Sequence, residues 1–196
     1  MKLDSRKTSS TLLLFGIIQW IFIVMLAEGI QPDYISSFHY VSTLGTGKTA
    51  ILYNTSTIIL GLTVTTASIL IRDFHKSRIF FLLFLVTGLA TIGVGVFPED
   101  SRPMHGIVTP ITLIFGALSA MSSFSLHEKP AAYFTVLLGA VSLVTGLWFI
   151  PYLGLSVESR DIFLGFYKGT LERIVIYTNL LWVLILGSQL STKHKT

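Results

Sequence analysis

Apolar blocks of about twenty residues, the length of a helix that crosses a hydrocarbon core about 30 Å thick, recur along the chain. There are six, at Thr11–Ile30, Thr49–Ile71, Ile79–Phe97, Gly106–Leu126, Ala131–Ile150 and Thr170–Leu190. No linker or shift in composition divides them. The pattern therefore predicts an all-α membrane protein, with one domain over residues 1–196 that forms a bundle of six transmembrane helices.

The composition agrees with a bilayer as the surroundings of the chain. Of its 196 residues 52% are apolar and 12% are charged, and the mean hydropathy is +0.73. Soluble domains carry about 25% charged residues, so this chain has too little polar surface to cover a water-facing globule. The sequence contains no cysteine, which excludes disulfides, thiolate catalysis and cysteine-ligated metal centres.

Basic residues are distributed unevenly between the two sides that six spans create. One side carries nine, namely Lys2, Arg6, Lys7, Arg72, Lys76, Arg78, Lys129, Lys193 and Lys195. The other side carries five, namely Lys48, Arg102, Arg160, Lys168 and Arg173. Because Lys and Arg resist translocation, the richer side, with both termini, is predicted to be cytoplasmic. The net charge of +4 is thus an orientation signal, and no nucleic-acid partner is predicted.

Small and polar residues inside the spans predict where the helices touch, since helices in lipid associate by close packing and interhelical hydrogen bonds. The small residues are Gly88, Gly93, Gly95, Gly116, Ala120, Gly139 and Gly146. Gln19, Asn179 and a hydroxyl-rich span two supply the polar groups. We expect these groups to bond to neighbouring helices. The alternative is that they line a polar substrate path.

Ionisable residues gather on the predicted extracytoplasmic side. The turn between spans three and four contains Glu99, Asp100, Arg102 and His105, and span six opens with the pair Glu172 and Arg173. Charges at membrane depth are costly unless they are paired or hydrated, so this pair should face the bundle interior and find partners. Two further residues, Glu28 and His39, are candidates for that role.

Two interpretations of this cluster remain open. In the structural one, Arg102 and Arg173 neutralise three carboxylates and tie the helix ends together. In the functional one, the same groups line a site at the lipid interface. Its catalytic residues would be Glu99, Asp100 and His105, and its ligand-binding residues Arg102, Glu172, Arg173 and His39.

A divalent metal is compatible with the cluster, since carboxylates and histidine bind Zn²⁺ or Ca²⁺. The candidate ligands are Glu99, Asp100, His105 and His39. No HExxH-type spacing fixes them, so the sequence identifies no metal. Haem is not expected, because the histidines lie in loops or at span ends. On span four, His105 and His127 would lie roughly 33 Å apart.

Two short motifs resemble those of a prokaryotic family of six-helix membrane proteins, domain-of-unknown-function family 998. One is Gly95-Val96-Phe97-Pro98-Glu99-Asp100 followed by His105; the other is Gly169, Glu172 and Arg173 with Trp182 in the same span. A weaker likeness, to the Frag/DRAM/Sfk family, rests on a comparable Phe-Pro turn and histidine. The resemblance implies fold, topology and the plasma membrane of a prokaryote, but brings no substrate.

Three functions fit these observations. The first is binding or processing of a lipid or other amphiphile, with His105 or a nearby carboxylate as base and Arg102 or Arg173 holding an anionic headgroup. The second is a small transporter or channel, which needs a polar route past Gln19 and Asn179. The third is a non-catalytic scaffold subunit, in which the cluster is only a brace. The sequence leaves the oligomeric state open.

Overall fold

Six long helices form the protein, for which a computed structural model describes residues 4–152, 159, 162–163 and 165–192. The helices are α1 (Ser5–Ile30), α2 (Ala50–Ile71), α3 (Arg78–Val96), α4 (Met104–Ser122), α5 (Ala131–Phe149) and α6 (Lys168–Thr192). All six are long and apolar enough to cross a membrane, which confirms the predicted fold class. The sequence did not predict the two-residue antiparallel pairing of β1 (Ile162–Phe163) with β2 (Phe166–Tyr167).

The predicted spans differ from the helices mainly at two ends. Helix α1 begins at Ser5 rather than Thr11, because Asp4 caps it by accepting from the backbone N–H of Arg6 at 3.1 Å. Helix α4 ends at Ser122, and a separate 3₁₀ turn, Phe124–Leu126, follows it. Four basic residues of the orientation argument lie outside the described residues: Lys2, Arg160, Lys193 and Lys195.

The helices pack in chain order, and α6 returns to contact α1, which closes the ring. Hydrogen bonds tie the two ends of the chain to the short turns. Ser5 donates to Asp73 in the α2–α3 turn at 2.6 Å, and Gln189 near the end of α6 lies 3.0 Å from the ring of His127. We call this the short-turn end. The opposite, long-loop end carries the connections 31–49, 97–103 and 150–167.

The interior is filled largely by aromatic and aliphatic side chains. Trp182 is fully buried and its ring lies 5.3 Å from that of Phe84, which in turn lies 5.3 Å from Phe80. The outward faces are also apolar, as the exposed Phe22 and Ile51 illustrate. Apolar groups on both the inner and outer faces are typical of helices surrounded by lipid.

Glycines permit a close contact between α2 and α3. A Cβ on Gly88 would lie 2.7 Å from the backbone nitrogen of Thr65, and one on Gly95 would lie 2.7 Å from the carbonyl oxygen of Asn54. These contacts confirm the predicted packing face of α3. The prediction is wrong for Gly146, beside which there is open space.

Gln19 and Asn179 bond to neighbouring helices, as expected, whereas in span two Thr63 and Ser68 bond to carbonyls of their own helix. The Gln19 amide donates to the carbonyl of Ser56 at 3.0 Å and accepts from its hydroxyl at 2.8 Å, which joins α1 to α2. The Asn179 amide donates to the Ser142 hydroxyl at 3.0 Å and the Leu113 carbonyl at 3.3 Å, which joins α6 to α5 and α4.

Substituting Gly88→Ala should destabilise the bundle, because the added methyl group meets backbone that cannot move away. Overpacking of this kind costs about 1–3 kcal/mol, which thermal unfolding in detergent would detect. Gly146→Ala is the matched control, since its methyl group enters open space. Equal melting temperatures for the two variants would contradict the close α2–α3 contact.

Candidate functional site

The side chain of Arg173 holds the first loop (31–49) against the start of α6. One guanidinium nitrogen donates to Glu28 at 2.5 Å and to the Tyr34 hydroxyl at 2.6 Å. The other donates to the carbonyls of Ser36 and His39. This confirms that Arg173 finds an acidic partner. That partner is Glu28, one of the two candidates named from the sequence.

The rest of the Gly-x-x-Glu-Arg motif contacts the same loop. A Cβ on Gly169 would lie 2.6 Å from the carbonyl oxygen of Ser36, so glycine permits the close approach of the two backbones. The buried carboxylate of Glu172 accepts from the backbone N–H of Val41 and faces that of Ser42. These two residues open the 3₁₀ helix Val41–Gly45, and the first amides of a helix have no partner within it. The motif therefore fixes where this 3₁₀ helix lies.

Glu99 reaches the same 3₁₀ helix from the α3–α4 turn. Its Oε2 accepts from the Thr43 hydroxyl at 2.7 Å. Its Oε1 is buried and has no hydrogen-bond partner, and only 4% of the residue is exposed. Leaving a carboxylate oxygen unpaired and out of water costs free energy, so this atom marks a place where a donor belongs.

His105 is held at the start of α4 in one tautomer. Its Nδ1 lies 2.8 Å from the carbonyl oxygen of Phe97, which only accepts, so Nδ1 carries the proton. Its Nε2 lies 3.1 Å from the Thr109 hydroxyl, one turn along the helix. In the neutral ring Nε2 is therefore the basic nitrogen, which is the arrangement that a general base requires.

Three aromatic residues stand beside these polar groups. The Tyr40 hydroxyl donates to the carbonyl of Tyr152 at 2.8 Å, and burial raises the pKa of this phenol above its ordinary value, so it keeps its proton. The Phe149 ring lies edge-on to Tyr40 at 5.8 Å and stacks on Tyr152 at 6.1 Å. The ammonium of Lys168 lies 4.8 Å from the centre of the Tyr40 ring.

Together these groups enclose a cavity of about 420 Å³ at the long-loop end, which we call the polar cavity. Its wall includes Tyr40, Glu99, Arg102, His105 and Glu172. A volume of this size lies within the range of small-molecule sites. The cavity thus brings together one histidine, one arginine and two carboxylates.

An apolar crevice of about 490 Å³ adjoins the polar cavity, and we call it the α4–α5 crevice. The two spaces share Thr109, Pro110 and Phe149 as a common wall. The crevice continues along Gly146 and Leu147, and Leu147 is 63% exposed on the outer face of the bundle. It therefore opens toward the side of the bundle, where lipid would lie.

A third space lies deeper among the helices and has a volume of about 100 Å³. Ser42, Thr109 and Glu172 line both this interior cavity and the polar cavity. Asn179 and Trp182 line its deeper part, and each has a buried polar atom without a hydrogen-bond partner. This volume is enough for several water molecules.

The candidate residues from the sequence separate into three groups. Those that line the polar cavity are Glu99, Arg102, His105 and Glu172. On the far side of the first loop lie Arg173 and His39, whose Nδ1 accepts from the Ile35 backbone N–H at 2.9 Å. Asp100 is exposed and does not line the cavity, so we leave it out of the site.

The sequence reasoning missed the aromatic and hydroxyl residues of the site, namely Tyr40, Thr43, Thr109, Phe149 and Tyr152. A weak signal was present for two of them. Tyr152 and Phe149 flank Pro151 at the end of a span, where aromatic residues are common at membrane interfaces. His105 and Thr109 are one helical turn apart, but such a pair is too frequent to indicate a site by itself.

The structure does not gather the four candidate metal ligands of the sequence. In the described part of the chain no three His, Asp or Glu side chains lie close enough to hold a metal ion. His39 belongs to the first loop, Asp100 is exposed, and only Glu99 and His105 share a cavity.

Comparison with known proteins gives one match. The sequence model of a family described as a protein of unknown function (DUF998) matches residues 14–189. No curated protein matches the chain, and no solved structure does. The likeness to the Frag/DRAM/Sfk family stays a prediction.

Substituting Arg173→Met should destabilise the long-loop end, because Glu28 and the loop carbonyls lose their donor. We expect a loss of about 2 kcal/mol in unfolding free energy, less than for a fully buried ion pair because Glu28 is partly exposed. Thermal unfolding in detergent measures it, and protease cleavage in the first loop should accelerate. Arg78→Lys, at an exposed arginine, is the control. If Arg173→Met melted like the wild type, Arg173 would not hold the loop.

Proposed function

We propose that this chain, which belongs to the DUF998 family of proteins of unknown function, binds a lipid or another amphiphile. The polar group would enter the polar cavity and the apolar chain would lie in the α4–α5 crevice. One observation carries the proposal: the two spaces share the wall of Thr109, Pro110 and Phe149. A polar and an apolar compartment side by side match the two halves of an amphiphile.

The energetics assign different roles to the two compartments. An acyl chain that moves from lipid into the crevice gains little, because lipid tails are as apolar as the crevice wall. Selectivity must therefore come from the polar cavity, where the Oε1 of Glu99 lacks a partner and Arg102 lies exposed at the rim. The crevice would determine which way the molecule enters and how its chain points.

We also propose how the protein lies in the membrane. It would form a single domain in the cell membrane of a prokaryote, with both termini in the cytoplasm and the polar cavity on the extracytoplasmic side. The charge bias supports this, since Arg6, Lys7, Arg72, Lys76 and Arg78 all lie near the short-turn end. On this orientation, the amphiphile comes from the extracytoplasmic leaflet.

Acid–base chemistry on the bound amphiphile is the second candidate function. The fixed tautomer of His105 favours it, because Nε2 accepts from the Thr109 hydroxyl at the cavity wall. In this mechanism His105 takes a proton from the reacting group or from water, and Arg102 holds an anionic part of the headgroup. A transport route is less favoured, since Gln19 bonds to Ser56 between α1 and α2, outside the three spaces.

Filling the crevice tests the binding proposal. Gly146→Leu places a side chain where the structure has open space, so it should occupy the crevice without disturbing the fold. We expect the affinity for a diacyl phospholipid, measured by native mass spectrometry on delipidated protein, to fall about tenfold, or about 1.4 kcal/mol. Gly29→Leu, also in open space but on α1, is the matched control. If both variants retained lipid equally with wild type, the crevice would not be the chain site.

The catalytic candidate has its own test. Purified protein is incubated with a defined phospholipid mixture, and mass spectrometry looks for new products. We expect products with wild type and at least a hundredfold slower formation with His105→Gln, the order that general-base catalysis contributes. If wild type forms no product while lipid binding persists, the protein is a binding protein and the catalytic candidate fails.

A further inference from the structure

We propose that the polar cavity recognises a positively charged ammonium group, which Glu99 receives. The inference rests on the proposed amphiphile-binding function and names the headgroup chemistry of that same site. Its first support is the Oε1 of Glu99, a buried carboxylate oxygen without a hydrogen-bond partner in a residue that lines the cavity. An ionised carboxylate only accepts hydrogen bonds, so the missing partner is a donor. An ammonium supplies three donors together with the opposite charge.

Among the described residues, no basic side chain forms an ion pair with Glu99. The ion pair that the structure records between described residues joins Arg173 to Glu28, on the far side of the first loop. Glu172 adds a second carboxylate to the cavity wall and is held there by the backbone amide of Val41. Arg102 lies exposed at the rim, so the buried part of the wall offers a cation the carboxyl oxygens of Glu99 and Glu172.

The aromatic wall favours an ammonium over a metal ion. The rings of Tyr40, Phe149 and Tyr152 line the cavity beside Glu99, and an ammonium within about 6 Å of a ring centre is attracted by the ring face. Lys168 gives an internal example, with its ammonium 4.8 Å from the centre of the Tyr40 ring. Carboxylates combined with aromatic faces suit an organic cation, whereas a metal ion needs more oxygen or nitrogen ligands.

The position of Arg102 extends the inference to the rest of the headgroup. Its side chain is exposed at the rim of the cavity, whereas Glu99 is buried in the wall. An ammonium on Glu99 would leave an attached phosphate facing Arg102, and guanidinium groups suit phosphate oxygens. The order of charges thus fits a zwitterionic headgroup whose ammonium enters first. A soluble amine carries the same ammonium without an acyl chain, and the experiment distinguishes it from a lipid headgroup.

The test compares two lipids that differ only in the headgroup. Dioctanoyl phosphatidylethanolamine, which has an ammonium, and dioctanoyl phosphatidylglycerol, which has none, are titrated into delipidated protein by calorimetry. We expect the first to bind about tenfold more tightly to wild type. Glu99→Gln should abolish that preference while leaving the affinity for phosphatidylglycerol unchanged. Asp33→Asn removes the same charge from an exposed position at the long-loop end, so it should leave the preference for phosphatidylethanolamine unchanged. Asparagine tolerates the positive φ of 56° at this position, so the variant should fold.

Each other outcome has a definite meaning. If wild type binds both lipids equally, the ammonium inference is overturned, and the amphiphile function stands. If it binds neither, the proposed function itself fails. Ethanolamine, titrated alone, distinguishes a lipid headgroup from a soluble amine. If wild type bound ethanolamine as tightly as the lipid, and Glu99→Gln did not bind it, the ammonium site would be supported and assigned to a soluble amine. The wild-type comparison needs no variant, so the inference can be overturned even if Glu99→Gln does not fold.

Discussion

The contact between Arg173 and the first loop determines the geometry of the site. A single guanidinium joins the end of α1, through Glu28, to two backbone carbonyls of the loop. These partners fix the 3₁₀ helix Val41–Gly45, which in turn supplies the donors for Glu172 and for one oxygen of Glu99. Guanidinium is suited to this role because its fork of five N–H donors can satisfy several acceptors at once.

The structure reconciles the two interpretations that the charged cluster left open. Arg173 and Glu28 form the brace, and they lie outside the polar cavity. Glu99 and Glu172 each have one role in fixing the loop, yet both also face the cavity. The same residues therefore position the first loop and, in the proposed function, provide acceptor groups to a ligand, so the proposal links stability to recognition at this end of the bundle.

The sequence predicted the six helices because the length and the apolar character of a span are local properties. It also identified Glu99, His105 and Glu172, since charged residues beside apolar spans are conspicuous. It named Glu28 and His39 as candidate partners of the span-six pair but could not choose between them, because such a pairing joins residues far apart in the chain. Tyr40 and Thr43 were missed because loop residues carry no periodic signal, and Gly146 was misassigned because small residues mark crevices as well as contacts.

The crevice between α4 and α5 opens through exposed apolar side chains such as Leu147 rather than toward water. A ligand that enters there diffuses in two dimensions and never has to leave the bilayer. Occupancy then follows the mole fraction of that ligand among its neighbours in one leaflet, not its concentration in solution. Such a site would respond to the composition of the surrounding membrane even when the total amount of membrane changes.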